Sequence, residues 1–532
     1  MTKCITRPPL RVLGLALVIP VNLAAQVPAA ARLQEQDPYV VGQALPPLDS
    51  GATLVSMTLE QAIARAVENN LDIQSARLDP LIQAFSLDAA RGVFSPSLNA
   101  TYGYTNSTNQ STSQLDGGAR TISQRHIFNT SMSKVMPWYG GRLSANFNNS
   151  RTETNNAFAT RNPSYSSSLS FNYTQPLLAG LKIDNQRAAL ETQVIQSEIV
   201  DLQVQTQIEN ITHQVREAYW SLRAAIEQIE IQRRSLAEAR QVLEETQINV
   251  RLGRMVELQM AQAEASVASA QQSLLNAEIQ WRNTELAFKR LLISGAADPL
   301  LTQTINPDDE PVLASQEVDI AAAVETALRQ RTDIRQQRQQ REITLVDLDV
   351  TRSNALPDLS LTAAYSLQGV GGDLFSRSEL GGAPVLVRPG GYSDGLQSIA
   401  DFDTPTWSLT LNASYPLGTN VAKLDLEQAR LQLRQAELAL RSQELAILTQ
   451  VTTAGLAVRN TFQQIEAARR AREASERNAN AERLRFSVGL ATNFEVVTAQ
   501  NQLTSARLSE LQAIIDHMLA IAEFERVQRV GG

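Results

Sequence analysis

The sequence predicts an α+β membrane protein in which two tandem copies of one half each supply a strand pair and a long helical hairpin. Three observations carry this: an internal repeat, strands with one apolar and one uncharged polar face, and helical stretches too long for a globular core. The 532 residues bear a formal net charge of −8, with 43% hydrophobic but only 5% aromatic residues. That charge argues against a nucleic-acid partner. One Cys and three scattered His give neither a disulfide framework nor a metal-ligand spacing, so no metal or cofactor is expected. Beyond residue 30 there is no run of 18 apolar residues, which removes a helical membrane span.

The repeat organises everything else. At an offset of 261, Leu59, Ala62, Ala66, Asp72, Ile73 and Arg77 fall on Ile320, Ala323, Ala327, Asp333, Ile334 and Arg338, and Pro96 falls on Pro357. At an offset of 240, Ser168, Asn172 and Pro176 meet Ser408, Asn412 and Pro416. At 236, Ala218, Gln228, Glu230 and Gly253 meet Ala454, Gln464, Glu466 and Gly489. The first repeat therefore spans 57–300 and the second 318–532. Residues 301–317, with Asn306-Pro307-Asp308-Asp309-Glu310-Pro311, read as the linker.

Residues 1–30 read as a secretory signal peptide: Lys3, Arg7 and Arg11 precede an apolar stretch from Leu10 to Leu23, and small residues follow. Residues 31–56 are an N-terminal extension. Each repeat then opens with a capped helix, Thr58 with Gln61 forming a capping box and Asp319 the equivalent N-cap. Both opening helices are expected to end before Pro96 and Pro357.

Strict alternation follows, at about 97–107, 164–176, 358–368 and 404–416. One face carries Leu98, Tyr102, Leu169, Phe171, Tyr173, Leu359, Leu361, Tyr365, Trp407, Leu409, Leu411 and Tyr415; the other is Ser, Thr and Asn. About ten residues suffice for a tilted strand to cross a bilayer, and an apolar outer face with terminal aromatics suits lipid. A soluble sandwich shows the same alternation. Residues 125–150 form a possible extra hairpin, against which stands Lys134 on its apolar face. Residues 105–124 and 369–400 read as long exposed loops. Gly369-Val370-Gly371-Gly372 within the second resembles a phosphate loop, but no helix is expected after it.

The helical hairpins are expected at 183–292 and 421–529. Ile208, Val215, Leu222, Ile229, Leu236, Leu243 and Val250 recur every seven residues, with Ile211, Ala218, Ala225 and Ala239 as a second seam. Gly253 and Gly489 break the two hairpins at matching places.

Four strands, or six with the extra hairpin, cannot close an eight-stranded barrel, and an open sheet edge cannot exist in lipid. A membrane-spanning chain of this kind must oligomerise. The result is an oligomeric transmembrane β-barrel continued on one side by a long α-helical barrel, which is a conduit. His126, His213 and His517 lie on different elements, and the carboxylates are spread along helix faces, so no enzyme is expected.

The duplicated plan closely resembles the TolC family of outer-membrane ducts. The segments that carry it are Thr58-Leu59-Glu60-Gln61-Ala62-Ile63, Tyr173-Thr174-Gln175-Pro176-Leu177, Tyr415-Pro416-Leu417-Gly418, and Phe486-Ser487-Val488-Gly489 with Ala499-Gln500. The resemblance implies an outer-membrane homotrimer in contact with lipid, its helices in the periplasm, that serves as the exit duct of a tripartite efflux or type I secretion system. A periplasmic adaptor and an inner-membrane pump are the implied partners. Four strands per protomer would give the family's usual twelve-stranded barrel. By resemblance the periplasmic gate falls on Phe486, Gly489 and Glu495. A second acidic ring would fall on Thr498 and a basic latch on Ala491, so neither is carried over. The implied adaptor-docking tips are Leu252, Gly253 and Arg254, and Val488, Gly489 and Leu490. The alternative is a periplasmic coiled-coil scaffold or adaptor-like protein without a pore of its own. Such an adaptor would carry one hairpin within split β-domains, whereas this chain carries two hairpins.

Overall fold

The computed structural model describes residues 41–47, 53–111, 118–311, 318–378, 382–418 and 420–528. The expected signal segment lies outside them. The first repeat runs β1 (Leu54–Met57), α1 (Leu59–Asn69), α2 (Leu71–Ala76), α3 (Asp79–Gly92), β2 (Ser97–Gln110), β3 (Arg120–Val135), β4 (Arg142–Thr154), β5 (Ser164–Pro176), α4 (Asn185–Arg251) and α5 (Glu257–Leu292). After β6 (Thr304–Pro307), the second runs α6 (Ile320–Gln330), α7 (Thr332–Asn354), β7 (Asp358–Gly371), β8 (Leu374–Ser376), β9 (Val385–Arg388), α8 (Tyr392–Ala400), β10 (Pro405–Ser414), α9 (Val421–Ser487) and α10 (Asn493–Gln528). The duplication is metrically close: α4 and α9 each have 67 residues, and α5 and α10 each have 36. At about 1.5 Å per residue the two long helices reach roughly 100 Å.

The opening helices start as expected. Thr58 and Gln61 exchange both capping-box bonds, and the Asp319 carboxylate accepts from the amides of Ala321 and Ala322. They are not single helices, however. In repeat one the chain re-caps at Asn70, whose side chain accepts from the amides of Asp72 and Ile73, and Pro80 starts α3. Repeat two breaks only at Arg331.

One antiparallel sheet contains six strands in the order β10-β7-β5-β4-β3-β2. The extra hairpin is therefore real and spans the full height of its neighbours, with Arg142 opposite Thr174 and Thr152 opposite Ser164. Lys134 does not oppose this. It is the penultimate residue of β3, beside the turn to β4, where its stem can run along apolar surface and its amine reach water. Register preserves face identity across the sheet. Leu98, Met132, Ala145, Phe171, Tyr365 and Trp407 form one continuous row. The next row, on the opposite face, is Asn99, Ser131, Asn146, Ser170, Ser366 and Thr406.

Both regions expected to be exposed loops contain regular structure among their described residues. Residues 105–110 and 120–124 extend β2 and β3, and 369–371 extend β7. Beyond β7, a β8–β9 hairpin and α8 fold back onto the sheet. The glycines there are explained by packing: a Cβ at Gly369 would collide with the Gly395 carbonyl, and one at Gly371 with the Gly391 carbonyl. Tyr392 fixes α8 by donating to Asn149 Oδ1 at 2.8 Å.

The helices form a curved layer beneath the sheet. Its upper half is ordered α3-α4-α7-α9 and its lower half α5-α4-α10-α9. Val215, Leu222, Ile229 and Leu236 are buried as the heptads require, while Leu243 yields its place to Val242 and Thr246. A straight helix of 3.6 residues per turn drifts against a seven-residue repeat in this way. The expected linker is not free: β6 pairs in parallel with β1, and all four of its residues are buried against the middle of α4.

This collar is held by a buried ion pair. Glu227 Oε1 accepts from the amides of Gly42 at 2.8 Å and Ala44 at 3.2 Å, and it lies 3.3 Å from Arg223 Nη2. Arg223 Nη1 donates to the Pro307 carbonyl at 3.0 Å, joining the N-terminal segment, β6 and α4. Glu227→Ala strands a buried guanidinium, and removing one partner of such a pair costs about 3–5 kcal/mol. We expect early loss of hydrogen-exchange protection in β1 and β6, with the six-stranded sheet unaffected. Unchanged protection would contradict the assignment.

Candidate functional site

The two hairpin tips share one construction. At the end of α4, Gly253 has φ 69°, and at the end of α9, Gly489 has φ 76°. In the first tip, Gly253 donates its amide to Val250 O at 2.9 Å and Arg254 to Asn249 O at 2.8 Å. In the second, Gly489 donates to Phe486 O at 3.0 Å and Leu490 to Arg485 O at 2.8 Å. These are paired Schellman caps, which satisfy the last carbonyls of each long helix. No atom lies within 4 Å of a Cβ built at either glycine, so the requirement there is the left-handed backbone alone.

The tips are joined to each other. Phe486 is buried with Val242 of α4 and Val496 of α10, and Met255 and Ala491 pack against them. Asn493 is fully buried and donates from Nδ2 to the Gln259 carbonyl at 3.0 Å. Higher up, Arg507 of α10 meets Glu238 of α4 at 3.2 Å. The hairpins therefore move as a pair unless these contacts break.

Glu495 has a local role. Its carboxylate accepts from the Thr492 amide at 2.6 Å and the Thr492 hydroxyl at 3.0 Å, capping the start of α10. Those bonds, chiefly the one from the backbone amide, hold its carboxyl below the ordinary glutamate value, with a smaller contribution from Arg485.

Around this ordered core the tips expose apolar side chains: Leu252, Val256 and Leu258 on one, Val488, Leu490 and Phe494 on the other. A patch of this kind marks a surface that meets something.

The model of the outer membrane efflux protein family matches residues 142–292 and 323–516. The chain belongs to that family. It is an outer-membrane channel protein and not an enzyme, with its strands in the membrane and its helices on the periplasmic side. Three solved channels are similar in fold. The CmeC outer membrane channel of Campylobacter jejuni has a TM-score of 0.63 at 14% identity, covering 88% of this chain and 85% of its own. The outer membrane protein VceC of Vibrio cholerae has 0.61 at 14% identity, covering 89% and 96%. The MtrE channel of Neisseria gonorrhoeae, solved in an open state, has 0.57 at 17% identity, covering 88% of each. Comparison with curated protein sequences gives no match.

Of the residues taken from the resemblance, Leu252, Gly253, Arg254, Val488, Gly489 and Leu490 fall on the tips and are exposed. Phe486 is only 2% exposed and packs between hairpins. Sequence reading missed Val242, Asn493 and Val496. The first two have no local signal, because only folding brings α4 and α5 against the second hairpin. Thr492 with Glu495 was detectable as a capping box.

The depressed Glu495 pKa has a definite sign. Its stabilisation is present above the unfolded glutamate pKa and is lost as pH falls through the lower folded value. Protection factors of the Thr492 and Glu495 amides, each referred to the intrinsic exchange rate at the same pH, should fall on acidification below the ordinary carboxylate range, and Glu495→Gln should remove most of that dependence. A pH profile identical in the two proteins would contradict the cap.

Proposed function

We propose that the chain is one third of a passive exit duct, the outer-membrane component of a tripartite efflux or type I secretion system. One observation carries the oligomer: the protomer is an open arc with matching unfilled edges. β2 and β10 are the sheet's outer strands and expose almost every residue. Beneath β2, α3 exposes Leu81, Ile82 and Phe85, and below it α5 exposes Leu275, Ile279 and Leu286. Beneath β10, α9 exposes Leu424, Leu431, Leu438 and Leu445, a stripe recurring every seven residues that the described part of the chain leaves uncovered. A heptad stripe asks for a helical partner. The partner that offers one at each level is the α3 and α5 edge of another copy. β2 runs away from the helices and β10 runs toward them, so the strands of adjacent copies meet antiparallel, as a barrel requires.

Three copies, the number the family resemblance implies, give twelve helices around the axis at each level. The named apolar strand positions, from Leu98 to Tyr415, then face lipid, and the Ser, Thr and Asn rows face the lumen. The two tips converge at the far end, where Glu495 of three copies forms a carboxylate ring in addition to capping α10, and Phe486 supports it by packing. The exposed apolar residues beside Gly253 and Gly489 suit the docking of a periplasmic adaptor's helical hairpin, through which the inner-membrane pump delivers cargo.

Cross-linking in cells checks the docking surface. Leu252→Ser together with Leu490→Ser should reduce capture of the adaptor at least tenfold while leaving the oligomer and its outer-membrane location unchanged. Undiminished capture would move the docking surface elsewhere.

A further inference from the structure

We propose that the assembled barrel has eighteen strands, not twelve, and that its outer-membrane bore is as wide as the helical duct below it. The proposal rests on the trimeric reading above and deepens it by assigning the size and charge class of the cargo. Six strands per protomer are present in one sheet, and the two extra ones, β3 and β4, lie between β2 and β5. The helices tied to those flanking strands are α3, which leads into β2, and α4, which follows β5. The insertion thus widens the sheet directly above the α3–α4 seam.

Perimeters show why the insertion fits. Strands about 4.8 Å apart and tilted about 40° each occupy about 6.3 Å of circumference, so six take about 38 Å and four about 25 Å. Four packed helices about 9.5 Å apart take about 38 Å. Six strands therefore match the four helices beneath them at each level, and the wall passes from strand to helix without narrowing. Three protomers give a barrel about 36 Å across between backbones, against about 24 Å for twelve strands. Allowing about 5 Å of side chain on each wall leaves about 25 Å free, against about 14 Å.

The lining and the loops point the same way. At mid-height the lumen-face residues of the inserted hairpin, Asn129, Ser131, Asn146 and Asn148, are uncharged like Ser170 and Asn412 on its neighbours, whereas Arg125 and Arg142 bring positive charge to the same face toward its two rims. Of the described elements between β7 and β10, α8 lies outside the bore. α8 sits over Gly369 and Gly371, which share the face of Tyr365 and Leu367, so it covers the lipid side of the wall. The cargo class is bulky and polar, with no charge requirement at mid-height: large hydrated solutes and extended or partly folded polypeptide.

Single cysteines test this, because the only native one is Cys4. Asn129→Cys and Asn146→Cys should react in intact cells with maleimides carried on neutral polymers up to a hydrated diameter of about 25 Å, while Phe128→Cys and Phe147→Cys on the lipid face stay unreactive toward the same reagents. A cut-off near 14 Å, or equal labelling of both faces of the hairpin, would overturn the proposal while the protein remains a trimer by mass. Loss of the trimer in the unmodified protein would instead overturn the duct reading on which it rests. Electron cryomicroscopy of the unmodified protein along its axis gives the same decision without substitutions: eighteen strands support it and twelve refute it.

Discussion

An unpaired strand edge has nowhere to go in lipid. Each free amide and carbonyl there costs several kcal/mol, because no water is available to satisfy it. The chain has two such edges, β2 and β10, and they are aligned with two apolar helix edges below. The rest of the structure follows from that constraint. A single copy is a segment of wall, and its apolar surface is spent on seams: one set closed within the protomer, the other left for the next copy. This accounts for a membrane protein in which charged residues are 19% of the chain and, among the described residues, no helix is long and apolar enough to cross a membrane.

The same constraint assigns work to the smaller features. The collar of β1, β6 and the Arg223–Glu227 pair ties the N-terminal segment and inter-repeat chain to the middle of α4, where two long helical layers would otherwise hinge. The tips are closed by glycine caps and joined by Phe486 and Asn493, so their opening requires breaking a small, identifiable set of contacts. Stability is local in long, thin structures of this sort.

Much of this was legible in the sequence. The repeat offsets gave the order of the elements, and the parity of strand residues gave their faces, because both signals are local and repeated. The alternating segments correspond to β2, β5, β7 and β10, and the extra hairpin forms β3 and β4, with Lys134 near the rim where a lysine is tolerable. What was not legible depends on distant contacts. β6 is four residues long and pairs with a strand some 250 residues earlier, so it has no period to detect. α8 was hidden in a glycine-rich stretch whose glycines exist to admit that helix. Phe486 was assigned to the gate by resemblance alone, and its burial against Val242 could only emerge once the two hairpins were placed side by side.

The central claim is that the protomer's two edges are made for each other. Phe85 of α3 and Leu431 of α9 lie at similar depth below the barrel on opposite edges, and both are exposed. Replacing both with Cys in one chain and oxidising membranes gently tests the claim most directly. The account predicts covalent dimers and trimers in denaturing gels, with the trimer as the closed end point and neither single variant forming the trimer. A double variant that stays monomeric while its native oligomer is intact, or that forms a ladder beyond the trimer, would contradict it.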